Sequence, residues 1–67
     1  MIVVNGDPTD APPGELLSAV LERLGVAPGA RGVAVAVNGE VVPRGRWESL
    51  ALEDSARVEV LSAMQGG

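Results

Sequence analysis

The segment from residue 32 to residue 42 constrains the fold of this chain more than any other. It holds an alternating valine–alanine run over Gly32–Val37, then the dipeptide Asn38-Gly39, then a second β-rich run over Glu40–Val42. Asn-Gly is the preferred pair for a two-residue type I′ turn, because both central positions of that turn need positive φ. The segment therefore predicts a β-hairpin.

The first strand of this hairpin is apolar on both faces. Such a run indicates a central position in a sheet. In the hairpin register Val35 lies opposite Val42, and the alternate valines at positions 33, 35 and 37 share one face. We expect this valine face, rather than the face of Ala34 and Ala36, to contact a helix.

Residues 15 to 24 have the apolar periodicity of an amphipathic helix. At 100° per residue, five apolar side chains of Glu15–Leu24 fall within an arc of about 140°. Gly25 is expected to end the helix in a left-handed conformation, and Val26–Arg31 is a predicted connecting loop. We expect the apolar face to pack on the core. Its five residues are Leu16, Leu17, Val20, Leu21 and Leu24.

The N-terminal residues predict another hairpin. Ile2–Asn5 is rich in β-branched residues and predicts a strand. Gly6-Asp7-Pro8 predicts a turn, and Thr9–Ala11 a return strand. Pro12-Pro13-Gly14 ends that strand, because proline cannot donate to a β-ladder.

The second half of the chain predicts one more strand. Residues 44–52 are irregular or form a single turn, with Trp47 or Leu50 holding them to the core. Glu53–Ala56 predicts a turn, and the alternation of Arg57–Leu61 predicts the last strand.

The order of these elements is strand, strand, helix, strand, strand, strand. At 67 residues the chain is limited to one domain. This order and size predict an α+β protein of the β-grasp (ubiquitin-like) type, with a mixed sheet of four to five strands and one main helix packed across it. We expect residues 1–62 to form the single domain and residues 63–67 to form a flexible C-terminal tail.

The composition excludes most kinds of active site. Without Cys, His and Lys the chain has no disulfide framework, no usual zinc or haem site, no Ser-His nucleophile and no Schiff base. A net charge of -4 removes the electrostatic footprint of a nucleic-acid binder. No apolar run approaches the ~20 residues of a membrane helix, and the chain turns polar directly after Val4, so we expect no signal-peptide h-region. We expect a cytoplasmic protein with no catalytic side chain, no metal, and neither nucleic-acid nor membrane partners.

The last two residues, Gly66 and Gly67, provide the remaining candidate for a reactive group, the C-terminal carboxylate. A C-terminal carboxyl with a reference pKa of about 3.3–3.7 is an anion at pH 7 and a poor electrophile, and adenylation from ATP would activate it. Two residues without Cβ can lie extended in a narrow channel and approach a nucleotide closely. The alternative is an incidental terminus, because in a chain with nine glycines among 67 residues a Gly-Gly ending arises by composition about 2% of the time.

Four groups of residues, in this order, resemble the ThiS family, the sulfur carriers of thiamin thiazole biosynthesis. They are Val4-Asn5-Gly6, Glu15-Leu16-Leu17, Val37–Arg44 with Trp47 three positions on, and Arg57–Val60 with the ending Gln65-Gly66-Gly67. The chain departs from the family at Asp54-Ser55-Ala56, where many members have Asp-Gly-Asp, and at Met64, where a branched residue is common. The first departure bears on a turn and not on the tail chemistry.

The resemblance implies a protein co-substrate, not an enzyme. An E1-like activating enzyme of the ThiF type would use ATP to adenylate Gly67, and the adenylate would become a thiocarboxylate. Thiazole synthase, of the ThiG type, would then receive the sulfur. Gly66 would provide clearance, and no cofactor would be bound permanently.

Three further residues are candidates for partner docking: Arg44, Trp47 and Met64. The alternative for Trp47 is structural, as a side chain that seals one end of the core, and this interpretation is favoured. Three other functions stay open: a carrier of the molybdopterin synthase small-subunit type, a ubiquitin-like protein modifier, and a plain interaction module. The first usually has prolines before the terminal glycines, where this chain has Ala63-Met64-Gln65.

Overall fold

A computed structural model describes residues 1–26 and 31–62, with the backbone alone at residue 62. It contains five strands, one α-helix and one 3₁₀ helix. They are β1 (Ile2–Val4), β2 (Asp7–Thr9), α1 (Leu17–Arg23), β3 (Val33–Val37), β4 (Glu40–Val41), the 3₁₀ helix (Arg44–Arg46) and β5 (Arg57–Ser62). The predicted loop Val26–Arg31 lies mostly outside the described residues, and the predicted tail 63–67 lies wholly outside them.

The five strands form one mixed sheet in the order β2-β1-β5-β3-β4. β1 and β5 run parallel, and the other neighbours are antiparallel. One helix packs on this sheet, which confirms the predicted α+β architecture of the β-grasp type.

β3 is an interior strand, as predicted, and the middle strand of the sheet is β5. β3 lies between β5 and the two-residue β4, and its one buried residue is on the valine face. Val35 is 1% exposed and lies in the core with Val33 and Val37 against it, whereas Ala34 is exposed. The small alanines made the second face look apolar, but no second layer covers it among the described residues. The predicted valine face and hairpin register are confirmed, since the Val42 amide donates to the Val35 carbonyl at 2.8 Å.

The N-terminal hairpin is tighter than predicted. Its turn is Asn5-Gly6, with φ of 49° and 86°, and the return strand is Asp7–Thr9 rather than Thr9–Ala11. This is the same Asn-Gly chemistry that makes the second hairpin. Pro8 is tolerated because β2 is an edge strand.

The helix is shorter than the predicted Glu15–Leu24, because residues before it are paired elsewhere. Leu16 forms an isolated bridge with Ala51, and its ψ of 144° is extended. The first amides of α1, from Leu17 and Ser18, donate at 2.9 Å to carbonyls of the 47–50 segment. A distant part of the chain therefore caps the N-terminus of α1 in place of a side chain.

The apolar face of α1 is also narrower than predicted. Leu17, Val20 and Leu21 are buried, whereas Leu16 is 40% and Leu24 is 44% exposed. The expected C-terminal glycine is confirmed. Gly25 has φ 88°, its amide donates to Glu22, and the Val26 amide donates to Leu21, which is the Schellman pattern.

The segment after β4 closes the core. Trp47 is 5% exposed, and Leu50 packs partly buried against the core cluster, so both residues hold this segment in place as predicted. The other buried members of the cluster come from α1, from the strands β1, β3 and β5, and from the connecting segments. They include Ile2, Val4, Leu17, Val20, Leu21, Val35, Leu52 and Val58.

The predicted turn at residues 53–56 is confirmed, since the Ala56 amide donates to the Glu53 carbonyl at 3.1 Å. Ser55 has φ 73°, a conformation that favours glycine. Its amide donates to the Met1 carbonyl at 2.8 Å, which ties the turn to the start of β1. The turn therefore forms with serine at position 55, where the sequence departs from Asp-Gly-Asp.

Candidate functional site

The strand that leads to the C-terminus has a paired strand on each side. β5 pairs with β3 over the whole length of β3, from Val37↔Val58 to Val33↔Ser62. On its other side it pairs with β1 only at Val3↔Arg57 and Val4↔Val58. The chain then continues from Ser62 into residues 63–67.

A side chain extends the shorter of these two ladders. After β1 the chain turns at Asn5, whose backbone amide donates to the Val58 carbonyl at 2.9 Å. The Asn5 side chain then accepts a hydrogen bond from the Val60 amide at Oδ1, 2.9 Å away, and its Nδ2 lies 3.4 Å from the Val60 carbonyl. A carboxamide has the donor and acceptor of a peptide group, so it replaces the next peptide of β1.

The other Asn-Gly turn does the same at the start of β5. The Asn38 Oδ1 accepts from the Arg57 amide at 2.9 Å, and the Asn38 amide donates to the Arg57 carbonyl at 2.8 Å. The two asparagines thus hold opposite ends of the central strand. Sequence reasoning missed both contacts, although each asparagine stood in an identified motif.

The sheet face away from α1 carries exposed apolar side chains. Leu61 is 65% and Val41 is 75% exposed. Leu61 lies opposite Ala34, and the charged residues Arg57 and Glu59 alternate with the buried Val58 and the partly buried Val60. The sequence analysis did not single out Leu61 and Val41.

The candidates for docking in the body of the protein lie in the 3₁₀ segment. The Arg44 guanidinium lies 4.9 Å from the centre of the Trp47 ring, within cation–π range. The indole Nε1 of Trp47 donates to the Val42 carbonyl at 3.0 Å. Because Trp47 is 5% exposed, it offers a partner little surface, and its contacts favour the structural interpretation. Arg44 is exposed.

A shallow groove of about 380 Å³ separates this segment from α1. Ser18 and Glu22 of the helix line one side, and Arg44, Trp47 and Glu48 line the other. The remaining docking candidate, Met64, lies outside the described residues, as do Gly66 and Gly67. Their predicted roles stay predictions.

Ionisable groups of the described ranges 1–26 and 31–62 lie at the surface. These ranges contain no buried polar or charged residue and no group of three acidic side chains placed to hold a metal ion. The Met1 ammonium lies 2.5 Å from the Asp54 carboxylate. Its hydrogen bond and its charge lower the pKa of Asp54. In the part of the chain that the structure describes, no helix is long and apolar enough to cross a membrane.

A comparison with protein-family models matches residues 2–67 to the ThiS family. The chain belongs to the ThiS family. Its members are sulfur carriers of thiamine biosynthesis, small carrier proteins rather than catalysts. The match reaches the last residue, so it includes the Gly-Gly ending.

Solved structures agree with the ThiS assignment. The crystal structure of the thiamine biosynthesis protein ThiS from Geobacter metallireducens is 34% identical, with a TM-score of 0.78 and coverage of 98% of this chain and 97% of that one. A solution structure of a thiamine biosynthesis protein from the same organism is 35% identical, with a TM-score of 0.76 and coverage of 98% and 86%.

A longer relative also matches the ThiS chain. A thiazole synthase from Magnetococcus marinus is 38% identical over 66 residues, which are 98% of this chain and 20% of that protein. The chain therefore spans about a fifth of the length of this curated relative.

Proposed function

We propose that the Gly67 carboxylate of this ThiS protein is adenylated by an E1-like activating enzyme of the ThiF type. The adenylate is then converted to a thiocarboxylate, whose sulfur goes to a ThiG-type thiazole synthase. The order of the chain supports the proposal. β5 is the middle strand of the sheet, with a paired strand on each side. Residues 63–67 follow it directly in the sequence and end in Gly66-Gly67.

The chemistry needs no catalytic side chain from the carrier. A carboxylate oxygen of Gly67 attacks the α-phosphorus of ATP, and pyrophosphate leaves. Hydrosulfide (HS⁻) then attacks the acyl carbon, AMP leaves, and the sulfur loses its proton. The product is a thiocarboxylate at Gly67, which can donate its sulfur to an acceptor.

The tail has the dimensions for delivery to a partner. Five residues reach about 17 Å beyond the last strand at most. Gly66 and Gly67 have no Cβ, so backbone can pass close to a bound nucleotide. The globular body can therefore stay outside the active site of the activating enzyme.

The proposed partnership with a thiazole synthase is supported by the Magnetococcus marinus relative. In that protein a segment similar to this whole chain belongs to a polypeptide named as a thiazole synthase. A carrier that delivers sulfur to the synthase gains from being linked to it, because linkage raises their effective concentration. Arg44, Trp47 and Met64 remain candidates for docking on either partner.

The proposal is tested by ATP–pyrophosphate exchange with a ThiF-type activating enzyme. We expect exchange with the full chain and its loss when Gly67 is deleted, because the attacking oxygen is then displaced. Gly66→Ala should reduce exchange more than tenfold if the channel is narrow.

The matched control for this test is Gly45→Ala. A Cβ built at Gly45 meets nothing within 4 Å, so this variant should keep the fold. Because Gly45 lies between the docking candidates Arg44 and Trp47, exchange is compared at saturating carrier, where we expect the wild-type rate. Exchange that survives deletion of Gly67 would contradict the proposal. Adduct formation on lysines of other proteins, with no thiocarboxylate, would indicate a protein modifier instead.

A further inference from the structure

We infer that Asn5 is a positioning residue for the reactive tail. Its carboxamide holds the C-terminal half of β5, the strand that residues 63–67 follow in the sequence. This inference rests on the proposed function and adds to it a residue 62 positions away from the reacting carboxylate in sequence.

The Asn5 side chain makes contacts with Val60 that the turn itself does not require. Asn5 and Gly6 have the positive φ values of a type I′ turn, which glycine could also adopt. The side chain nevertheless turns back to β5, with Oδ1 2.9 Å from the Val60 amide and Nδ2 3.4 Å from the Val60 carbonyl. The turn itself favours Asn-Gly at these positions, and the contact with Val60 is a second use of the same side chain.

Val60 is the residue of β5 that the Asn5 side chain contacts, beyond the end of the β1 ladder. The backbone of β1 pairs with β5 no further than Val58, apart from the Asn5 amide that reaches the Val58 carbonyl. Beyond that rung, the β1 side of β5 depends on the Asn5 side chain, whereas the β3 side stays paired to Ser62. Without the carboxamide, the last residues of β5 would be held on one side only.

Loosening this end changes how the tail is delivered. Strand ends open with free energies near zero, so the loss of one hydrogen bond shifts the population of the held end directly. A released end also moves the last anchored residue of β5 further from Gly67 in the sequence, so the terminal carboxylate can reach a larger volume. Docking of the body is unaffected, because the rest of the sheet stays in place.

The chain provides its own control. Asn38 has φ 52° beside Gly39 with φ 86°, and its Oδ1 accepts from the Arg57 amide at the same 2.9 Å. Asn38→Gly and Asn5→Gly therefore each remove a hydrogen bond from a β5 amide to a side-chain Oδ1 in the same type of turn, and Asn5→Gly also removes the longer Nδ2 contact with the Val60 carbonyl. They differ in which end of β5 they release.

The experiment compares both variants as substrates of the activating enzyme and by amide hydrogen exchange. We expect Asn5→Gly to speed exchange of the Val60 amide about fivefold, the factor for loss of one hydrogen bond. Its kcat for adenylation should fall about two- to fivefold, with a KM within about twofold of wild type. Asn38→Gly should release the Arg57 amide and leave both kinetic constants unchanged.

The outcomes separate this inference from the proposed function. If the wild-type chain is adenylated and the two variants have the same kcat, the positioning role is wrong and the carrier function stands. A rise in KM with unchanged kcat would also overturn it, because Asn5 would then act on docking. If the wild-type chain is not adenylated at all, the proposed function fails, and the delivery role fails with it.

Discussion

The indole Nε1 of Trp47 donates a hydrogen bond to the Val42 carbonyl at 3.0 Å, and this contact joins the 3₁₀ segment to the residue after β4. Trp47 is the single aromatic residue of the chain and is 5% exposed. The bond leaves the indole edge satisfied within the core.

Trp47→Phe should therefore destabilise the protein. The variant loses the hydrogen bond and part of the buried volume, so the free energy of unfolding should fall by about 1–2 kcal/mol. Arg44→Ala is the comparison, since it removes the stacked guanidinium and should cost about 0.5–1 kcal/mol. Urea unfolding followed by circular dichroism measures both, and an unchanged midpoint for Trp47→Phe would show that the bond contributes nothing.

The narrow buried face of α1 gives a paired test in the core. Leu17 is fully buried, whereas Leu24 is 44% exposed. Leu17→Ala should lower the free energy of unfolding by about 2–5 kcal/mol, and Leu24→Ala by less than about 1 kcal/mol. Similar losses in the two variants would restore the wider apolar face that the periodicity predicts.

Ser55 should be a site where glycine stabilises the fold. A residue with a Cβ at φ 73° loses about 1–2 kcal/mol in the left-handed region, and the greater chain entropy of glycine offsets part of this gain. Ser55→Gly should therefore raise the free energy of unfolding by about 0.5–1 kcal/mol. Ser55→Ala keeps the penalty and should bring no gain. A loss of stability in the glycine variant would contradict the strain.

The ion pair of Asp54 with the Met1 ammonium should be visible in an acid titration. The ammonium lowers the pKa of Asp54 in the folded protein, so the carboxylate favours folding above its ordinary pKa of about 3.9. That contribution is lost as the pH falls through the lower folded value. Carbon-13 chemical shifts of the carboxyl group measure this pKa, and a value at or above the ordinary one would show that the pair does not form.

The elements that the sequence predicted correctly are those with local causes. Asn38-Gly39 requires a hairpin by its backbone conformation alone, and Gly25 ends the helix for a similar reason. The alternation of β5 and the valine face of β3 follow from side-chain period. Asn5-Gly6 had the same signal, but Gly6-Asp7-Pro8 competed with it as a turn, and the return strand was placed two residues late.

The features that the sequence did not predict depend on distant contacts. Glu15 and Leu16 are excluded from α1 because the 50–52 segment pairs with them: the Leu52 amide donates to Glu15 at 2.9 Å, and Leu16 bridges Ala51. Helical periodicity cannot register such a competitor. The hold of Asn5 on Val60 joins residues 55 positions apart, so it too needed the folded sheet.

The candidate site was likewise predicted from the sequence only in part. The family resemblance identified a sulfur carrier of thiamine biosynthesis, and the comparisons confirm the family. The roles of Gly66, Gly67 and Met64 remain predictions from sequence, since these residues lie outside the described ranges. The exposed Leu61 on the strand that leads to them was found only from the structure, because alternation alone did not say which face α1 covers.

The central claim is tested most directly by the intact mass of the protein after incubation with ATP, a ThiF-type activating enzyme and a sulfur source. We expect the mass to rise by the difference between one sulfur and one oxygen atom, and we expect alkylation to trap the product at Gly67. The chain that lacks Gly67 should show no such shift. A wild-type mass that stays unchanged under every sulfur-fed condition, with an activating enzyme proven active on its own carrier, would contradict the account.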